Sequence, residues 1–158
     1  MLIEDKKIDE LCRSSNRNNI LIAKNLIESQ YLNSEKVTHY DRLEGQTFTK
    51  VIHFKDGGDA DCLVFKNETH ECTFYHCQDC CEYVYIEDIE GDLEDLQNTP
   101  IIEAVEVFHE GEHVDYESFT WTFYKFRTIK GTVVVRWVGE SNGYYSERVD
   151  FRVKDLTP

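Results

Sequence analysis

Between Lys66 and Lys125 the chain has neither lysine nor arginine across 58 residues. It also lacks any run approaching ~20 consecutive apolar residues, so no transmembrane helix is expected. Its first residues, Met1-Leu2-Ile3-Glu4-Asp5-Lys6-Lys7, are charged and lack the apolar segment of a signal peptide, which points to a soluble intracellular protein. With only two prolines there is no Pro-rich linker. A sequence pI near 4.7 supplies no cationic footprint for phosphates, which disfavours nucleic acid as a direct partner.

The stretch without bases is rich in acids: it holds sixteen carboxylates, while the other hundred residues hold fifteen acids and all seventeen bases. The formal charge of -14 is therefore local. Such a single-sign field opposes compaction through self-repulsion, and its usual benefit is attraction of a basic partner. Hydrophobic residues make up 41% and aromatics 13% of the chain, too much packing material for a disordered acidic tail. At 158 residues, one main domain with a small appendage is the expected organisation.

Two textures divide the chain. Ile8, Leu11 and Cys12, then Ile20, Ala23, Leu26, Ile27 and Tyr31, recur at helical spacing and predict a two-helix extension over residues 1–36. From residue 37 to 158 the pattern becomes aromatic and β-branched, so the predicted class is α+β, with a mainly antiparallel sheet or meander. Strands over 48–55 and 61–66 flank Asp56-Gly57-Gly58, a hairpin signal, and Asn67-Glu68 turns the chain into 69–76. A strand over 82–89 precedes one helical turn at 91–96, and another strand follows Pro100. Three final strands, 118–129, 132–139 and 144–153, are joined at Lys130-Gly131 and Asn142-Gly143, the latter a type I′ turn pair.

Six cysteines without an export signal suggest thiols or metal ligands rather than disulfides. His76-Cys77-Gln78-Asp79-Cys80-Cys81 concentrates them. Cys77-x-x-Cys80 has the spacing with which two thiolates grip one zinc ion from a tight turn, and His76 and Cys81 flank it, so His76, Cys77, Cys80 and Cys81 are the candidate ligands of a structural zinc. His70 or Cys72 could replace one of them, while Cys12 and Cys62 read as ordinary buried thiols. The His-x-Glu and Pro-Cys-x-x-Cys pair of nucleobase deaminases is absent, and His109-Glu110-Gly111-Glu112-His113, which has the histidine spacing of His-Glu-x-x-His, carries Gly111 in a loop context rather than on a helix.

Glu87, Asp88, Glu90, Asp92, Glu94 and Asp95 lack the alternation of an EF-hand and are the candidate docking face for a basic protein. Trp121, Phe123, Tyr124, Phe126, Trp137, Tyr144 and Tyr145 crowd the last strands on both faces, so the sheet needs two covers.

Three strings resemble a phage- and prophage-encoded family of unknown function: residues 76–82 (His-Cys-Gln-Asp-Cys-Cys-Glu), residues 86–93 (Ile-Glu-Asp-Ile-Glu-Gly-Asp-Leu), and 121–126 with 139–147 (Trp-Thr-Phe-Tyr-Lys-Phe and Gly-Glu-Ser-Asn-Gly-Tyr-Tyr-Ser-Glu). The resemblance runs from about Thr47 to Phe151, carries over to His76, Cys80 and Cys81, and leaves Cys77 at a free position. The two helices look like an addition to it. A small acidic phage protein with a zinc turn also looks like some anti-CRISPR proteins. That second resemblance implies a non-enzymatic monomer in the host bacterial cytoplasm that blocks a type II CRISPR effector nuclease. A zinc- or cysteine-dependent hydrolase using Cys80 or Cys81 with His76, and a phage structural or assembly component, are the alternatives.

Overall fold

The computed structural model describes residues 38–56, 60–111 and 117–157, together with Glu10. Its elements are β1 (Thr38–His39), β2 (Lys50–Asp56), β3 (Ala60–Lys66), β4 (His70–Tyr75), β5 (Tyr83–Glu90), a 3-10 turn (Leu93–Leu96), β6 (Glu103–Glu110), β7 (Ser118–Thr128), β8 (Gly131–Ser141) and β9 (Asp150–Asp155). The expected α+β class is thereby corrected: the described domain is built of antiparallel strands, and its one helical element is the short 3-10 turn. The two-helix unit expected over residues 1–36 lies outside the described residues, apart from Glu10.

The strands form a five-stranded sheet, ordered β1-β6-β7-β8-β5, and a four-stranded sheet, ordered β2-β3-β4-β9. Alternation explains the second sheet. Val51, Phe65, Cys72 and Val153 lie opposite one another across β2, β3, β4 and β9, and Leu63, Phe74 and Phe151 continue the same inward face. At the β3–β4 turn the Asn67 Oδ1 accepts the backbone N–H groups of Thr69 at 2.9 Å and His70 at 2.8 Å, a local bond that reverses the chain.

The first two strands of the expected final meander pair as β7 and β8, with β6 and not the 144–153 segment as the third, and the strand expected over 144–153 does not pair with β8. The chain leaves the sheet after Ser141 and crosses to the other sheet, where β9 pairs with β4 from Tyr75↔Asp150 to His70↔Asp155. The cause lies in the crossing segment. Gly143 takes φ 91°, and Glu147 turns back over Gly139, so the segment wraps onto β8 instead of pairing beside it.

The two inward faces meet in an aromatic core. Phe74 has ring centroids at 4.6 Å from Tyr124, 4.8 Å from Phe151 and 5.2 Å from Tyr40, while Phe65 lies 4.9 Å from Phe126. Each such pair contributes about 0.5–1.5 kcal/mol beyond the area it buries. Cys72 is part of this core, and burial pushes its thiol up to about 11. The opposite face of β6, β7 and β8, with Val107, Trp121, Phe123 and Val138, is buried as well, as expected for strands apolar on both sides.

Candidate functional site: the turn at residues 76–82 and its acidic surroundings

The connection between β4 and β5 is an irregular turn wrapped around one carboxylate. Glu82 is buried, and its side chain accepts the backbone N–H groups of Asp79 at 2.6 Å and Cys80 at 3.1 Å, with His76 Nε2 at 3.0 Å. The Asp79 N–H above all, then His76 and the Cys80 N–H, outweigh burial and hold the Glu82 carboxyl down at about 2. Gln78 Nε2 braces the same loop by donating to the carbonyl oxygens of Glu82 at 2.7 Å and Cys80 at 3.3 Å.

The other ring nitrogen of His76 lies 2.8 Å from the Arg148 carbonyl. Both nitrogens therefore face oxygen acceptors. Cys77 donates its backbone N–H to Asp150 Oδ2 at 2.8 Å. The turn is thus anchored to the segment leading into β9, the strand adjacent to β4.

The structure brings all four expected ligands into this one turn. His76 directs its nitrogens to Glu82 and Arg148, the Cys80 and Cys81 sulfurs lie against each other, and the Cys77 thiol is exposed. Among the described residues no group of three or more His, Cys, Asp or Glu is placed to hold a metal ion.

The six carboxylates expected to dock a partner divide by task. Asp92 caps the 3-10 turn by accepting the Glu94 N–H at 2.9 Å, and Asp95 is set against Gly131, where an added Cβ would meet its Oδ2 at 2.9 Å. Glu87 lies 3.7 Å from Arg136. Asp88, Glu90 and Glu94 have no ion pair among the described residues, and Glu94 is exposed.

Next to the turn lies an open cleft of about 390 Å³, lined by Cys81, Tyr83, Glu117, Phe119, Glu140 and Asn142, among others. Burial first, and then the charges of Glu117, Glu87 and Glu147, raise the Glu140 carboxyl above its usual range. Among the described residues no lysine or arginine lines this cleft.

Two buried carboxylates away from the turn went unmarked in the sequence reading. Glu147 accepts the hydroxyls of Thr120 at 2.8 Å, Ser118 at 3.1 Å and Ser141, which ties the crossing segment to β7 and β8. Glu106 accepts the phenols of Tyr124 at 2.5 Å and Tyr40 at 2.7 Å, and Arg148 Nη2 donates to it at 2.8 Å. Burial, reinforced by the Glu106 charge, raises both phenols well above the usual tyrosine range. Glu106 had a signal: it occupies an inward position between Ala104 and Phe108, where the alternation calls for an apolar side chain.

Residues 41–151 match a domain family of unknown function, DUF7448. The chain belongs to this family. The matched span begins within three residues of β1 and ends inside β9, so it takes in both sheets and the turn around Glu82. No curated protein and no solved structure matches the chain. The DUF7448 domain of this chain contains no helix, among its described residues, long and apolar enough to cross a membrane.

Proposed function

We propose that the protein is a binding module, not an enzyme, and that it docks an acidic surface onto a basic protein. The observation that carries this reading is the cleft beside the turn: among the described residues Glu117 and Glu140 line it without a lysine or arginine, and the Glu140 carboxyl is raised by burial and by its acidic neighbours. Negative charge gathered in this way is relieved by an incoming Lys or Arg side chain, and the field steers a basic partner during encounter. Glu90 and Glu94 lie toward the opposite end of β5 from this cleft, since Tyr83 pairs with Glu140 and Glu90 with Val134, and form a separate acidic patch in the same proposal.

The partner class proposed for the first test is a type II CRISPR effector nuclease of a bacterial host, whose nucleic-acid channel is basic. Binding there would exclude DNA sterically and electrostatically, with the protein acting as a monomer in the host cytoplasm. Affinity capture of such a nuclease at graded salt, alongside a DNA cleavage assay, tests it. Association near 0.1 M salt that weakens steeply toward about 0.5 M is expected. No association together with unchanged cleavage removes this target, and salt-insensitive association removes the electrostatic mechanism.

A structural zinc belongs to this proposal only for the reduced turn, in which Cys77, Cys80 and Cys81 would supply thiolates. Metal analysis of protein purified under reducing conditions without added zinc decides it.

A further inference from the structure

The four-stranded sheet turns one face to the core, and its register sorts the opposite face into rows. Lys50, Lys66, Glu71 and Lys154 lie opposite one another across β2, β3, β4 and β9. Ile52, Val64, Thr73 and Arg152 form the next row, and Phe54 with Cys62 and Tyr75 with Asp150 form the third. Lys50, Lys66, Arg152 and Lys154 are exposed, as are Ile52 at 44% and Phe54 at 41%, while the short side chains of Cys62, Val64 and Thr73 are buried. The Arg152 guanidinium lies over the Tyr75 ring, 4.9 Å from its centroid. The two acids in these rows are engaged, Glu71 with Lys66 at 3.7 Å and Asp150 with the Cys77 N–H at 2.8 Å. Of the carboxylates in the base-free stretch only Glu71 lies on these four strands, with Glu68 in the turn between β3 and β4. The fold thus separates a lysine and aromatic face from most of the acids.

We propose that this face binds a single-stranded polynucleotide, with phosphates on the lysine row and bases against Phe54 and the Tyr75–Arg152 stack. Residues two apart on a strand are separated by about 7 Å, so the lysine and aromatic rows stand roughly 14 Å apart, a span that a short oligonucleotide crosses. Phosphate contacts carry no sequence information and stacking tolerates every base, so the binding is non-specific. Rival polyanions fit less well. A duplex hides the faces of its bases, and an acidic peptide would meet the lysines but give Phe54 and Tyr75 nothing to stack on. The pI near 4.7 is an average over two sheets of different charge. The acidic cleft belongs to the other sheet, where Glu140 pairs with Tyr83 and Phe119. Packed sheets lie about 10 Å apart, beyond the Debye length of about 8 Å at physiological salt, so the far carboxylates are screened from a strand bound here. The inference goes beyond the docking proposal and does not depend on it.

Fluorescence anisotropy of a labelled oligodeoxythymidine of about twelve nucleotides, titrated with the full chain, tests it. Saturable binding is expected at about 0.05 M salt, with half-saturation at roughly 10–100 µM. The logarithm of affinity should fall against that of salt with a slope of about -2, as for three neutralised phosphates on a single strand. Lys50→Gln with Lys154→Gln should weaken binding about tenfold at low salt and bring the slope to about -0.7. Phe54→Ala should weaken it about fivefold or more at every salt and leave the slope unchanged, because stacking releases no counterions. Glu117→Gln with Glu140→Gln, which removes the charge of the docking cleft, should shift the affinity by less than about twofold, so the two proposals fail separately. Absence of saturable binding, equal affinity for a duplex of the same length, or Phe54→Ala without effect overturns the proposal. Polyglutamate bound as tightly as the oligonucleotide also overturns it and assigns the face to an acidic protein.

Discussion

The Glu147 backbone carbonyl occupies the space that a Cβ on Gly139 would need, and the Glu147 side chain reaches the hydroxyls of Ser118, Thr120 and Ser141 on the same two strands. One residue without a side chain thus lets the crossing segment lie flat on β8. Gly139→Ala should lift that segment and destabilise the fold by about 2–3 kcal/mol, as overpacking against backbone does. Urea denaturation measures it, and an unchanged midpoint would show that the segment does not sit there.

Glu82 gives the protein a defined acid response. Its carboxyl is held at about 2 against an ordinary value of 4.5, so the folded state binds the proton more weakly than the unfolded chain. The stabilisation is fully present above about pH 4.5 and is lost as pH falls toward 2. Glu82→Gln should lower stability at neutral pH and flatten its dependence across that window. Urea midpoints measured from pH 6 down to pH 2 for both proteins would reveal it, and parallel curves would sink the idea.

Tyr124 and Glu106 form a buried pair in the aromatic core. Tyr124→Phe keeps the ring contacts and removes one donor from a carboxylate that still has Tyr40 and Arg148, so a loss of about 1–2 kcal/mol is expected. Glu106→Leu should cost more, because two phenols and a guanidinium lose their acceptor. Spectrophotometric titration of the wild type should show Tyr40 and Tyr124 resisting ionisation until the protein unfolds, since burial raises both. Denaturant titration of the two variants gives the energetic ranking, and equal losses would contradict it.

Asp92 and Glu94 separate structure from docking within one turn. Asp92→Ala removes the cap of the 3-10 turn and should reduce stability by about 1 kcal/mol. Glu94→Lys, at an exposed position, should leave thermal unfolding within about 0.5 kcal/mol of wild type while slowing association with a basic partner. Thermal denaturation read beside stopped-flow association at low salt distinguishes the two.

The hairpins of the four-stranded sheet were legible because Leu63, Phe65, Cys72 and Phe74 alternate cleanly and Asp56-Gly57-Gly58 and Asn67-Glu68 punctuate them. The β7–β8 hairpin was legible from Lys130-Gly131 between two long apolar runs, whereas the pairing of β6 with β7 was not. The partner of β9 was not. Asn142-Gly143 carries the hairpin signal, and Phe151 and Val153 alternate identically whichever sheet receives them, so the outcome rested on Glu147 finding two hydroxyls distant in sequence, on Ser118 and Thr120, besides that of Ser141. At the turn, His76, Cys77, Cys80 and Cys81 share one loop because they lie within six positions of each other. Spacing could not show that Glu82, one acid among sixteen, would claim the histidine and two backbone N–H groups.

Strand β5 ends the larger sheet on one side, and its register shifts between Ile86 and Asp88 where the Ile86 N–H turns away to Asp61 Oδ2 on β3 at 2.8 Å. On the other side the sheet ends on β1, two residues long. A second chain seeking to add a strand therefore meets an irregular edge bearing Glu87 and Asp88 at one end and almost no template at the other. The carboxylates that give the protein its charge thus also stand on an edge where an added strand would have to pair.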